Sequence, residues 1–123
     1  MTPEALMMKA AQAIRSARLL LEAGDADGAS NRADYAMFDA ARAALLTVGL
    51  DVGKTHKGVL NAFSNSFVRN GPLPKDTGRM LKQAETSRLI ADYNGDPVEK
   101  EEARQLVEQA DAFISTVSAK LLG

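Results

Sequence analysis

The sequence predicts an all-α protein, a bundle of four to five helices. Three observations carry that reading. Apolar residues recur at helical spacing in five segments, Gly, Pro and Asn clusters separate those segments, and no segment alternates in the manner of a strand. At 123 residues the chain is long enough for one core and too short for two, so residues 1–123 are expected to form a single helical domain.

The first segment, from about Pro3 to Ala23, places Leu6, Ala10, Ala13, Ala17 and Leu20 on one face, with Ile14 and Leu21 widening it. Thr2 before Pro3 suits a helix start, and Gly24 a stop. The second occupies roughly Ala26 to Val48, with Gly49 at its end. Here Ala29, Ala33, Ala36, Met37, Ala40 and Ala44 make a seam of small side chains that lets another helix approach closely. Beside it, Asn31, Tyr35, Asp39 and Arg42 stack at spacings of four, four and three. Such a polar strip serves either a ligand or an internal hydrogen-bond network.

The third segment starts near Thr55 and runs through Val59, Leu60, Phe63, Phe67 and Val68 to Asn70-Gly71, where Pro72-Leu73-Pro74 forces a turn. The fourth spans about Lys75 to Asp92, with Met80, Leu81, Ala84, Leu89 and Ala91 as its apolar members. Asn94-Gly95-Asp96-Pro97 breaks it, and Asp96 before Pro97 is expected to open the last helix, whose Ala103, Leu106, Val107, Ala110, Phe113, Ile114, Val117 and Leu121 share one side. Glu99, Glu101 and Glu102 load its first turn with acid, as the helix dipole favours.

Composition excludes several chemistries. The chain has no cysteine and one histidine, so disulfides, thiolate catalysis and zinc–cysteine sites are out, and neither a metal nor another cofactor is expected. No apolar run approaches the roughly 20 residues that cross a bilayer, and the N-terminus lacks a charged-then-apolar signal pattern, so a cytoplasmic location is expected. The net charge of -1 is unevenly spread. Residues 1–52 carry five basic and seven acidic side chains, residues 53–90 seven and two, and residues 91–123 three and seven, giving -2, +5 and -4. A polyanion could then bind at one place, if Lys54, Lys57, Arg69, Lys75, Arg79, Lys82 and Arg88 converge.

Two motifs fail on inspection. Gly49-Leu50-Asp51-Val52-Gly53-Lys54-Thr55 has three residues between its glycines where a phosphate-binding loop needs four, and it follows a helix rather than a strand. Thr55-His56-Lys57-Gly58 resembles a histidine phosphotransfer signature, but its histidine and lysine are adjacent, and His56 sits at a helix start. Arg88-Leu89-Ile90-Ala91-Asp92-Tyr93 closes the fourth helix, with Arg88 and Asp92 spaced to pair and Tyr93 offering a phenol.

Taken together, the segments Asn31 through Ala43, Lys54 through Val59, Phe67-Val68 and Arg88 through Tyr93 resemble the HEPN domain family, and within it the short single-domain prokaryotic HEPN proteins. The resemblance implies an up-and-down, HEPN-like bundle that forms a homodimer. It also implies RNA or nucleotide as ligand, and a toxin–antitoxin-type or defence system in which a small nucleotidyltransferase is the partner. The family's catalytic pattern is an arginine followed, after four to six residues, by a histidine. Here Arg88 is followed after four positions by Tyr93, and no histidine comes later.

Arg88 and Tyr93 are therefore the catalytic candidates, and Asn31, Arg32, Tyr35, Asp39, Lys54, His56, Lys57 and Asp92 the RNA- or nucleotide-binding ones. Tyrosine titrates near pH 10 and is a poor base at neutrality, so cleavage is expected to be weakened or lost. A binding component is the first expectation. An active metal-independent endoribonuclease, with His56 brought in as proton carrier, is the alternative, and a non-catalytic dimeric scaffold the third.

Overall fold

A computed structural model describes residues 2–122, apart from the side chains at 91 and 92. Five α-helices follow one another: α1 (Pro3–Glu22), α2 (Ala26–Thr47), α3 (His56–Phe63), α4 (Lys75–Asn94) and α5 (Lys100–Val117). Wider π turns continue α3 through Ser64–Arg69 and α5 through Ser118–Leu122. No strand occurs among the described residues, and none of their helices is long and apolar enough to cross a membrane.

The helix starts follow their side chains. The Thr2 hydroxyl accepts from the Ala5 N–H at 3.1 Å, the Asp25 carboxylate from Gly28 N–H at 2.8 Å, and the Thr55 hydroxyl from Gly58 N–H at 3.2 Å. Each satisfies a donor that a helix N-terminus leaves open. Gly24 and Gly49 end α1 and α2 at φ of 86° and 76°, a conformation that favours glycine.

The last helix starts later than its sequence suggests. Residues 95–99 are non-helical, Lys100 is the first residue of α5, and Glu99 caps it without a side-chain hydrogen bond. Asp27, in the first turn of α2, accepts a hydrogen bond from the Val98 N–H at 2.7 Å, which ties this non-helical stretch to α2.

α2 is the central helix and packs against all four others. Ala29, Ala33, Ala36, Met37, Ala40, Ala41 and Ala44 are fully buried, so the small-residue seam is consumed inside the chain by α1 and α5 rather than kept for a second molecule. Below it, Phe63 is the hub of the aromatic core, with ring centroids 5.3 Å from Phe67 and 5.4 Å from Phe113. An ion pair between Arg18 and Asp111 joins α1 to α5 at the surface. Leu89 does not join the core. It and Ile90 stand about half exposed, and α4 packs instead through Thr77, Leu81 and Ala84.

Candidate functional site

The site is built around Asp34, a carboxylate in the middle of an alanine seam. The residue is only 5 % exposed. A buried carboxylate needs cations or donors, and two helices supply them. Arg88 of α4 brings its Nε to 3.1 Å from Asp34 Oδ2, and His56, the first residue of α3, brings Nε2 to 3.5 Å from the same oxygen. The imidazole lies flat on the Phe38 ring, centroids 4.4 Å apart and planes 23° from parallel. Phe38 stands one turn beyond Asp34 on α2, so ring and carboxylate together fix where the imidazole rests.

Burial pushes the Asp34 carboxyl above the usual carboxylate range, further than the charges of His56 and Arg88 pull it down; Glu85 nearby adds to the rise. Ser30 Oγ and Glu85 Oε2 are also buried, without a hydrogen-bond partner among the described residues. Each such atom costs stability. Both stand near one charged cluster, the kind of place where candidate sites are sought.

Asp34, His56 and Arg88 face a cleft of about 600 Å³. α2 runs along its floor with Asp27, Ser30, Asn31, Asp34 and Tyr35. Ser87 and Arg88 of α4 line one side, Glu102 and Leu106 of α5 the other, and Gly95, Asp96 and Val98 close one end. Charge is mixed along it. The guanidinium and imidazole meet at Asp34, Asp27 stands two turns back along α2 where it holds the Val98 N–H, and Asp96 and Glu102 are further carboxylates of the lining. Among the described residues no three His, Asp or Glu side chains assemble as a metal-binding group.

Of the residues singled out in the sequence, the structure brings Asn31, Tyr35, His56 and Arg88 to this cleft. Tyr93 is 91 % exposed and shares a shallow outer surface with Leu89, Ile90 and Asn94, away from the cleft lining. Asp39 turns elsewhere: burial raises its carboxyl, while Lys9 of α1 and Arg42 pull it back. Arg32, Lys54 and Lys57 are exposed and do not line the cleft. The Asp92 side chain, and its pairing with Arg88, lie outside the described residues.

The residue that sequence reasoning passed over is Asp34. The signal was present. It is a lone acid between Ala33 and Ala36-Met37 in the small-residue seam, one helical repeat beyond Asp27 and Ser30. A charge in that register is either misplaced or held by cations from another helix.

Comparison with known proteins agrees with this architecture. The HEPN domain model matches residues 3–120. The chain belongs to the HEPN domain family. It is 36% identical over 118 residues to a UPF0332 protein of Gloeobacter violaceus, covering 93% of each chain. It is 33% identical over 118 residues to a Methanocaldococcus jannaschii protein whose name carries the word "toxin", covering 96% of this chain and 87% of that one. A UPF0332 protein of Thermotoga maritima is 34% identical over 111 residues, which is 89% of this HEPN chain and 83% of the relative.

Proposed function

We propose that this HEPN protein is the RNA-binding component of a toxin–antitoxin-type or defence system, and that it takes a ribonucleotide of its RNA into the cleft. The observation that carries the reading is the convergence of Arg88 and His56 on buried Asp34 in a cleft whose lining also carries Asp27, Asp96 and Glu102. A ribonucleotide has the matching polarity. Its phosphate suits the guanidinium, and its ribose hydroxyls and exocyclic amines donate to carboxylates. Tyr35, half exposed at the rim, offers a ring on which a base can stack. The "toxin" name of the Methanocaldococcus jannaschii relative supports the system-level part of the reading.

With tyrosine at position 93 and its side chain outside the cleft, the Arg-x4-His arrangement is incomplete, which favours binding over efficient cleavage. One observation favours a second reading as a metal-independent endoribonuclease: the single imidazole comes to the same carboxylate that holds Arg88. In that reaction His56 accepts the proton of a ribose 2′-hydroxyl as its oxygen attacks the adjacent phosphorus. Arg88 balances the charge of the phosphorane. The 5′-oxygen leaves with a proton, and a 2′,3′-cyclic phosphate remains.

By family resemblance the protein forms a homodimer and pairs with a small nucleotidyltransferase. Leu89, Ile90 and Tyr93 form the exposed apolar surface available to a second copy. Expressing wild type, Arg88→Ala and His56→Gln singly, and following growth and RNA integrity, separates the readings. Binding without cleavage leaves RNA intact in all three while Arg88→Ala weakens RNA affinity of the purified protein. Cleavage abolished by His56→Gln establishes the nuclease. Wild-type protein that neither binds nor cuts RNA removes both.

A further inference from the structure

We propose that the groove between α4 and α5 is a track for single-stranded RNA, gripped through its phosphates by Lys75, Arg79 and Lys82, that delivers the strand to the cleft. The proposal rests on the RNA-binding reading and specifies where the rest of the strand lies. The three cations are spaced by four and then three residues, which puts them on one face of α4. All three are exposed. Arg79 and Lys82 line a groove of about 440 Å³ against α5. With Lys75 they also line a neighbouring groove of about 340 Å³ against α3 and its π turn.

The larger groove opens into the cleft, because Ser87, Glu102 and Leu106 line both. The path from Lys75 to Arg88 covers thirteen helical steps, about 20 Å at 1.5 Å per residue. Of the seven cations in the basic middle of the chain, these four lie on the path, and Lys54, Lys57 and Arg69 line none of its three cavities.

The facing wall suits a polyanion with hydrogen-bonding bases. α5 is acidic in sequence, yet Gln105 and Gln109 line the groove, with Glu102 as the single carboxylate among its lining residues. Its Glu101 and Glu108 are occupied by Arg104, and Glu101 also accepts from Gln105 Nε2 at 3.5 Å. Amides both donate and accept, so they read base edges as well as phosphate. An acidic peptide would use the cations but not the carboxylates of the cleft beyond. Arg79 has an exposed contact to Asp76 at 3.3 Å, which a phosphate displaces at little cost.

The test is fluorescence anisotropy of a labelled single-stranded oligouridylate across a salt series. It compares wild type, the triple variant Lys75→Gln/Arg79→Gln/Lys82→Gln and the charge-matched control Arg15→Gln/Lys100→Gln/Lys120→Gln, whose exposed side chains line none of the three cavities, with circular dichroism as the check on folding. At roughly 0.7 per phosphate contact for single strands, losing the track lowers the slope of log Kd against log salt by about 2, while the control keeps most of it. Equal slopes for wild type and the track variant overturn the track and leave the cleft reading standing. Wild type that binds no RNA overturns both. Polyglutamate that competes as well as RNA of equal charge overturns the assignment to nucleic acid.

Discussion

Replacing Asp34 by Asn isolates what the buried carboxylate does to the fold. Burial has pushed the pKa of the wild-type side chain above the ordinary value despite His56 and Arg88. A folded-state pKa above the unfolded one means that the native state holds the proton more tightly. The stabilisation it gives is complete below about pH 3.9, the unperturbed Asp value, and is lost as pH rises through the folded value. Above the folded value the charged form is therefore a net burden.

The amide gives up part of a charge-assisted bond to Arg88, about 1 kcal/mol. It also removes the desolvation of a carboxylate, effectively several kcal/mol. Arg88 and His56 keep the amide oxygen as an acceptor for the buried Nε and Nε2 atoms that face it. The expected result is a gain of about 1–2 kcal/mol at pH 7, or roughly 4–8 °C in Tm. The gain shrinks toward zero as pH falls to the ordinary carboxylate range. Urea titrations of both proteins across that range measure it, and the difference between them cancels the contribution of Asp39, whose carboxyl is also raised by burial. A loss of about 3–5 kcal/mol at pH 7, the cost of breaking a well-compensated buried pair, would refute the reasoning.

Three further outcomes are expected. Phe63→Ala removes the ring shared by Phe67 and Phe113 and should cost about 3–5 kcal/mol in denaturant unfolding; a cost below about 1 would mean that the core collapses into the gap. Asp27→Ala cuts the bond to Val98 N–H and should cost about 1–2 kcal/mol, with faster amide exchange confined to residues 95–99. Ile90→Glu places a charge in the exposed Leu89–Tyr93 surface and should convert a dimer to monomer in sedimentation, whereas a wild type already monomeric removes the dimer proposal.

The bundle was legible because its determinants are local. Thr2, Asp25 and Thr55 announce their helices, and the alanine and phenylalanine registers of α2 and α3 identify the faces that become the core. What was illegible depends on contacts distant in sequence. Asp96-Pro97 has every local feature of a helix start, yet residues 95–99 are non-helical and are tied through Val98 to Asp27, 71 residues away. Leu89 fits the apolar period of α4, yet its side chain stands about half exposed. Asp34 belongs to no local motif, because its meaning lies in side chains at positions 56 and 88.

The carboxylate, the imidazole and the guanidinium arrive on three different helices, and two of them hold one oxygen of the third. Such an arrangement makes the cluster a joint product of three helices. His56 begins α3 directly after an exposed connection, with its imidazole packed on Phe38 and its Nε2 turned to Asp34. On the proposed reading, one substitution there changes the proton carrier and a wall of the cleft at the same stroke, while the caps and seams that build the bundle lie elsewhere in the chain.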